Sequence, residues 1–207
     1  MPGIPGGTVT FLFTDIEGST VLWEKNAADM ASALAHHDAL LRGVIERHEG
    51  HVFKTMGDAF CAAFHTAPAA VDAAIAAQQE LSRERWPGGA QIRVRMALHT
   101  GAAESRDNDY FGQPLNRVAR LLSAGHGGQI LLSLATQELV RDQLPPTLAL
   151  RDMGERRLKD LIRPERVYQL HSRDSAAEFP PLKTLDRIPT WRRTQKQRPR
   201  CLTCASQ

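Results

Sequence analysis

Two aspartates stand where packing alone gives little reason for a carboxylate. Asp15 lies near the end of Thr8–Thr20 (TVTFLFTDIEGST), whose β-branched and aromatic residues predict a buried strand. Asp58 follows Gly57 between two apolar stretches, and this Gly-Asp pair predicts a two-residue hairpin turn. A buried carboxylate is costly unless a cation or a set of donors meets it. We therefore expect a cation or several N–H groups beside Asp15.

The residues after Asp15 have the composition of an anion-binding turn. Residues 17–20 (EGST) are mostly small or hydroxylated, so backbone amides can approach a phosphate where a helix begins. A carboxylate for a metal beside amides for a phosphate indicates a metal–nucleotide site. A strand that ends in Asp and a glycine turn is also ordinary loop chemistry, so this stretch alone leaves both interpretations open.

A second pair of polar side chains lies on a predicted helix at Leu115–Ser123. Asn116 and Arg120 are four residues apart and therefore share a face. An amide and a guanidinium that project together can orient a sugar and neutralise a phosphoryl transition state. Asn116 near a helix start also fits a capping role. Arg117 points elsewhere, so we expect it to be a solvated charge.

The spacing of apolar residues predicts the elements that position these groups. The predicted helices are Ala27–His48, Ala67–Arg85, Leu115–Ser123 and Leu134–Gln143, and the strands after the first are Val52–Met56, Ala59–Phe64, Ile92–His99, Gln129–Ser133 and Arg166–Leu170. Thr100–Asp109 is predicted to be a polar loop. Met56 and Phe60, which flank the hairpin turn, are predicted to be core. The order predicts an α+β fold, a ferredoxin-like βαββαβ sheet with an αβ extension and helices on one face.

In that fold the first strand lies beside the hairpin, so Asp15 and Asp58 are expected to converge at one edge of the sheet. Two carboxylates that close repel unless cations hold them, which favours Mg²⁺ bridged to a polyphosphate. Asp58 taken by itself is equally well explained as a turn former.

Length and composition predict one folded domain with appendages in a chain of 207 residues. We place the domain at residues 8–172, between a flexible N-terminus at 1–7 and a linker-like, disordered tail at 173–207. No stretch approaches the roughly 20 apolar residues of a membrane span, and the opening MPGIPGG lacks the features of a signal peptide. We therefore expect a cytoplasmic protein that does not engage a membrane.

The net charge of +3 originates in the tail. Residues 191–207 contain five basic residues and no acid, so the rest of the chain is slightly acidic. Nucleic acid is therefore not an expected partner, except through this tail. Cys201 and Cys204 form a lone C-x-x-C without a second pair, which favours an unstructured end over a zinc site.

Five segments together resemble the class III nucleotidyl cyclases, the catalytic domains of adenylate and guanylate cyclases. They are FLFTDIEGST, FKTMGDAFCAAF, RVRMALHTG, DYFGQPLNRVARLL and GGQILLS, in the family's order and approximate spacing. The resemblance covers about Thr8–Leu170 and implies the class III cyclase fold. The short loop Ala102–Asp109 resembles that of bacterial members with a reduced dimer arm.

The resemblance implies a role for each matching position. Asp15 and Asp58 resemble the carboxylates that hold two Mg²⁺ or Mn²⁺ ions per active site, assisted by the carbonyl of Ile16. Asn116 resembles the residue that orients the ribose, and Arg120 the one that meets charge on the α-phosphate. The β- and γ-phosphates would lie against the amides of Glu17, Gly18, Ser19 and Thr20.

Three further positions follow from the same resemblance. Lys159 resembles a lysine that touches the terminal phosphates, although Asp160 stands where the family usually has glycine. Lys54 and Asp109 fall where the family selects its purine. Adenine offers an acceptor at N1 and donors at N6, which match a lysine donor and a carboxylate acceptor, whereas guanine presents the opposite pattern. A mismatched buried group costs about 1–3 kcal/mol, so we expect ATP to be preferred over GTP.

The implied reaction is that of an adenylate cyclase, a phosphorus–oxygen lyase of cyclic nucleotide biosynthesis in signal transduction. The ribose 3′-oxygen attacks the α-phosphorus, pyrophosphate leaves and 3′,5′-cyclic AMP remains, with two metals lowering the pKa of the hydroxyl and carrying charge on the leaving group. In this family the site is shared across a homodimer. Asp15 and Asp58 come from one protomer, and the partner supplies Lys54, Asp109, Asn116 and Arg120.

Three alternatives stay open. The first is a catalytically weak or inactive nucleotide-binding or dimerisation domain of a signalling regulator, because Phe179–Asp186 (FPPLKTLD) resembles the linker of members that precede an ATPase and a DNA-binding module. The second is a guanylate cyclase. The third is a diguanylate cyclase, prompted by residues 57–60 (GDAF), although that family needs a longer Gly-Gly-Asp signature and lacks the Asn116/Arg120 helix.

Overall fold

The computed structural model describes residues 4–173 and 178–186. Its strands are β1 (Thr8–Ile16), β2 (His51–Met56), β3 (Ala59–Phe64), β4 (Val94–Ala102), β5 (Glu104–Arg106), β6 (Asp109–Phe111), β7 (Ile130–Ser133), β8 (Leu148–Arg156) and β9 (Glu165–Ser172). Its α-helices are α1 (Ser19–Lys25), α2 (Ala27–Arg47), α3 (Ala67–Arg83), α4 (Gln113–Ala124) and α5 (Leu134–Val140), with a 3₁₀ turn at Pro87–Gly89. The basic stretch 191–207, with Cys201 and Cys204, lies outside the described residues, as do residues 1–3.

Seven strands form one mixed sheet in the order β2-β3-β1-β4-β7-β9-β8. β1 pairs antiparallel with both β3 and β4, so the first strand lies beside the β2–β3 hairpin, as predicted. β4 and β7 are parallel neighbours joined through α4. The first four strands of the sheet therefore have the ferredoxin-like order, and the α+β class is confirmed.

Both faces of the sheet are covered by helices. Leu12 and Ile16 of β1 belong to the core formed with α2 and α3, whereas Phe11 and Phe13 point to the opposite face and pack with α4. The expectation of helices on one face only is therefore wrong. A central strand that is apolar at successive positions needs cover on both sides, and α4 supplies the second cover.

Side-chain caps fix the starts of the two longest helices. The side chain of Asn26 accepts a hydrogen bond from the Asp29 amide at 3.2 Å at the start of α2. Thr66 does the same for the Ala69 amide at 3.4 Å at the start of α3. Both helices begin where the sequence predicted.

Three elements differ from the sequence-based expectations. β8 was not predicted, because it is an edge strand whose residues are at most half-buried and lack a clean apolar alternation. Part of the predicted loop Thr100–Asp109 is ordered, since β4 runs to Ala102 and β5 pairs with β6 in a separate hairpin. α1 is a further short helix directly after the EGST stretch.

The two residues that flank the β2–β3 turn have opposite environments. Phe60 is fully buried as predicted, but Met56 is 55% exposed, so its assignment to the core is wrong. β2 is the edge strand of the sheet, and its last three residues are exposed. Within the described residues, the helices are all too short or too polar to cross a bilayer.

Gly50 joins α2 to β2, the strand that carries Lys54 toward the Asp58 turn. A Cβ at this position would lie 2.5 Å from the ring of buried Phe64 and 2.7 Å from Ile45. We expect Gly50→Ala to lower the free energy of unfolding by about 1–3 kcal/mol through overpacking, measured by urea denaturation. Gly6→Ala, where a Cβ meets nothing within 4 Å, is the control and should change it by less than about 0.5 kcal/mol. Equal midpoints for the two variants would contradict this packing.

Candidate active site

The end of β1 and the β2–β3 turn bring the two aspartates together. The Ile16 amide donates a hydrogen bond to Asp58 Oδ2 at 3.0 Å, so the Asp58 carboxylate lies beside the backbone that follows Asp15. Gly57 has φ 61°, a left-handed conformation that favours glycine in such a tight turn. The predicted convergence of Asp15 and Asp58 is therefore present in one chain.

Arg95 is the cation that meets Asp15, and sequence reasoning missed it. β4 runs antiparallel to β1 with Arg95 directly opposite Asp15. Its Nε and Nη2 atoms donate to Asp15 Oδ2 at 2.9 and 2.5 Å, and both side chains are 23% exposed. Opposite charges on directly facing residues of an antiparallel pair are a recognised stabilising arrangement. The contact depends on the register of β1 on β4, for which the sequence alone carried no signal.

The donor set at this edge of the sheet fits a divalent metal such as Mg²⁺. Two carboxylates and a nearby main-chain carbonyl are hard oxygen ligands, which Mg²⁺ prefers. Across residues 4–173 and 178–186, no three His, Cys, Asp or Glu side chains cluster as a metal site. Mg²⁺ is commonly held by one or two carboxylates together with substrate phosphates, so two aspartates are sufficient when a polyphosphate completes the shell.

The Glu17 side chain is hydrogen-bonded to residues outside the turn that its backbone begins. The Glu17 amide donates to the Arg93 carbonyl at 2.9 Å, and the next residue, Gly18, has φ 74° before α1 starts. The carboxylate accepts hydrogen bonds from Lys183 Nζ at 2.6 Å and from the Gly127 amide at 3.0 Å. The hydrogen bond from Lys183 is the main reason that the pKa of Glu17 falls to about 2.

Asn116 and Arg120 lie on one face of α4, as their spacing predicts. Both line a cavity of about 580 Å³ whose other walls come from α4 and the loop between β8 and β9. The Arg120 guanidinium pairs with Asp160 Oδ2 at 2.8 Å across this cavity. Asp160 has φ 59°, a conformation that favours glycine. Lys159 precedes it in the same loop and is exposed.

Arg117 is not the solvated charge that was expected. Its Nη1 lies 2.6 Å from Glu165 Oε2, and the Glu165 side chain is only 10% exposed. A buried glutamate at the start of β9 needs a positive partner, and Arg117 provides it at the rim of the same cavity. The expectation failed because the sequence did not place β9 against this side of α4.

Lys54 and Asp109, the predicted purine-selecting residues, contact each other. Lys54 Nζ donates to Asp109 Oδ2 at 2.7 Å, and the Tyr110 amide donates to Asp109 Oδ1 at 2.8 Å. This pairing lowers the pKa of Asp109 and raises that of Lys54, so both stay charged at neutral pH. A register shift between Val52 and Lys54 marks a bulge in β2, a feature that redirects side chains.

Apart from the Lys54–Asp109 pair, the candidate residues of one chain form two sets in different places. Asp15, Asp58 and the EGST turn lie around the end of β1, whereas Asn116 and Arg120 face the α4 cavity. Neither aspartate lines that cavity. The structure therefore brings together the members of each set.

Comparison with known proteins identifies relatives of this arrangement. An uncharacterized protein of Mycobacterium tuberculosis is 44% identical over 188 residues, which are 90% of this chain and 64% of that protein. The chain thus spans slightly less than two-thirds of this relative. A receptor-type adenylate cyclase of Trypanosoma brucei brucei is 30% identical over 213 residues, covering 83% of this chain and 17% of that protein.

Solved structures show the same fold. An adenylate cyclase from Trypanosoma brucei in its monomeric state superposes with a TM-score of 0.77 at 30% identity, covering 90% of this chain and 98% of that one. The adenylyl cyclase CyaB from P. aeruginosa gives a TM-score of 0.67 at 26% identity, covering 80% and 94%. The model of the adenylate and guanylate cyclase catalytic domain matches residues 4–172. The resemblance seen in the sequence is thereby confirmed, and this chain belongs to the adenylate and guanylate cyclase catalytic domain family.

Proposed function

We propose that this chain is an adenylate cyclase that converts ATP into 3′,5′-cyclic AMP and pyrophosphate at two sites shared across a homodimer. The observation that carries the choice of nucleotide is the contact between Lys54 and Asp109. The retention of Asp15, Asp58, Asn116 and Arg120 in one chain supports catalysis. Relatives described as adenylate cyclases favour the same activity.

The Lys54–Asp109 pair matches the edge of adenine. A lysine ammonium has three donors and a carboxylate has several acceptor positions, so each can keep its partner while it meets the base. Lys54 would donate to adenine N1, and Asp109 would accept from the N6 amino group. Guanine would present a donor to Lys54 and an acceptor to Asp109, which leaves both groups mismatched.

The remaining residues would bind and orient the triphosphate. Asp15 and Asp58 would hold divalent metal ions, which cyclases of this class generally use and which supply charge neutralisation and a lowered pKa of the 3′-hydroxyl. The Glu17 amide already donates to the Arg93 carbonyl, so the expectation that it binds phosphate is not met. The amides of Gly18, Ser19 and Thr20 would position the β- and γ-phosphates, with Lys159 at the terminal phosphates. Asn116 would orient the ribose, so that its 3′-oxygen faces the α-phosphorus opposite the departing pyrophosphate.

Arg120 would neutralise the charge that develops on the α-phosphate as the new P–O bond forms and the bond to pyrophosphate breaks. Its present partner is Asp160, so ATP must compete with this carboxylate for the guanidinium. Asp15 is likewise paired with Arg95 before any metal binds. ATP and metal binding would therefore exchange existing ion pairs for new ones.

The separation of the candidate residues into two sets favours a shared site. A twofold dimer can bring the β1 end of one chain to the α4 cavity of the other, and the symmetry then creates two equivalent sites. The two sets of one chain would then serve different sites.

Mixing inactive chains tests this arrangement. A homodimer of Asp15→Ala chains has no intact site, and neither has a homodimer of Asn116→Ala chains. A dimer with one chain of each kind retains one intact site. Equal mixing with random exchange should restore about a quarter of the wild-type rate of cyclic AMP formation. As the control, Asp15→Ala mixed with Asp58→Ala should stay inactive because both changes lie in the same set. Equal recovery in both mixtures, or none in either, would contradict sharing.

Removing the Lys54 donor tests the choice of purine. We expect Lys54→Met to lower kcat/KM for ATP about tenfold or more relative to that for GTP, because an unmatched buried group costs about 1–3 kcal/mol. Arg106→Met is a matched control, since Arg106 lies on the β5–β6 hairpin and its partner is Glu104 at 2.8 Å. A ratio that does not change in Lys54→Met would show that other residues select the base.

Removing the charge of Asp160 tests whether its carboxylate competes with ATP for the Arg120 guanidinium. Asn tolerates a positive φ, so Asp160→Asn removes the charge without straining the loop. The paired side chains are 39% and 56% exposed, and exposed ion pairs are worth up to about 1 kcal/mol, so kcat should rise by up to about fivefold. Asp107→Asn, at another positive φ of 50°, is the control. A lower kcat would mean that Asp160 helps to hold Arg120 in place.

A nucleotide-binding domain with little or no turnover is the second candidate function. The Arg120–Asp160 ion pair favours it, because a guanidinium that keeps this partner leaves the α-phosphate without its positive charge. In that case ATP would bind through Lys54, Asp109 and the β1 edge without forming cyclic AMP.

A further inference from the structure

Residues 178–186, called the return segment here, run back over the domain after β9. The Lys183 amide donates to the Ala124 carbonyl at the end of α4 at 2.9 Å, and the Leu185 amide donates to the Arg157 carbonyl at 2.9 Å. The Arg157 amide in turn donates to Asp186 Oδ2 at 3.0 Å. The segment is therefore hydrogen-bonded to both elements that carry Arg120 and Lys159.

Side-chain contacts anchor the same segment. Leu182 packs against the apolar cluster beneath α4, and Phe179 lies against Gly128. The Pro181 carbonyl lies 3.0 Å from His126 Nε2. These contacts give the segment a defined path, so the expectation of a disordered tail from residue 173 is wrong for residues 178–186. Lys183 therefore reaches a fixed place on the domain.

Lys183 contacts Glu17, the first residue of the EGST turn. Its carboxylate is held by Lys183 at 2.6 Å and by the Gly127 amide at 3.0 Å, with His126 Nδ1 at 3.5 Å. Gly127 permits the approach, since a Cβ there would lie 2.6 Å from Arg93 and 3.1 Å from Glu17 itself. A salt bridge this exposed is weak alone, but here the Gly127 amide holds the same carboxylate.

We propose that Lys183 is a positioning residue that fixes the backbone of residues 17–20 for the ATP phosphates by holding Glu17, an inference that rests on the proposed cyclase function. Preorganised amides bind an anion better than mobile ones, because their ordering does not have to be completed on binding. Lys183 thus acts on the substrate through Glu17 and the turn. Its loss therefore weakens ATP binding more than it slows the chemical step.

Hydrogen exchange and kinetics of three full-chain variants test the proposal. Lys183→Met should speed amide exchange in the peptide that covers residues 15–22 and raise KM for ATP by about two- to fivefold, with kcat within about twofold of wild type. Lys183→Arg keeps the charge and should show the wild-type rate of amide exchange and the wild-type KM for ATP. Lys25→Met removes the same charge at the end of α1 and should match wild type in both.

If amide exchange of residues 15–22 in Lys183→Met matches that of wild type, the proposal is overturned whether or not the protein is active. Faster exchange with an unchanged KM also overturns it, because the turn would then be loosened without consequence for ATP. If wild-type protein forms no cyclic nucleotide, the proposed function fails through that separate result, while the exchange measurement still decides whether Lys183 orders the turn.

Discussion

The antiparallel pairing of β1 with β3 and β4 positions Asp15, Asp58 and Arg95 at one edge of the site. On one side it places the Asp58 turn against the Ile16 amide, and on the other it sets Arg95 opposite Asp15. A slip of one residue would turn the Asp15 side chain to the other face of the sheet. The apolar residues of β1 resist such a slip because they are buried on both faces.

The charged side chains proposed to act in catalysis already have partners within the chain. Asp15 is paired with Arg95, Arg120 with Asp160, and Lys54 with Asp109. Such pairs limit the cost of partly burying a charge. Under the proposed function, ATP would therefore exchange contacts rather than fill an unpaired site, and the net gain on binding would be a difference between two sets of ion pairs.

The sequence was informative where local patterns decide the structure. The β1 strand, the Gly-Asp turn and the capped starts of α2 and α3 depend on periodicity and on residue types with known turn or cap preferences. The convergence of Asp15 and Asp58 followed from topology. The face shared by Asn116 and Arg120 followed from helix geometry alone.

Contacts between distant segments could not be predicted from local sequence patterns. Arg95 meets Asp15 through strand register, Arg117 meets Glu165 through the docking of β9, and Lys183 reaches Glu17 from 166 positions further along the chain. Each depends on packing that single-sequence patterns do not encode. The edge strand β8 was missed for a related reason, since weak burial leaves a weak apolar pattern.

The central claim, that this family member makes cyclic AMP from ATP, can be measured directly. The purified 207-residue chain is incubated with ATP or GTP and Mg²⁺ or Mn²⁺, and nucleotide and pyrophosphate products are quantified by chromatography and mass spectrometry. The account predicts equimolar 3′,5′-cyclic AMP and pyrophosphate from ATP, at least about tenfold less product from GTP, and none from Asp58→Asn. Bound ATP with no cyclic nucleotide under any of these conditions would contradict it.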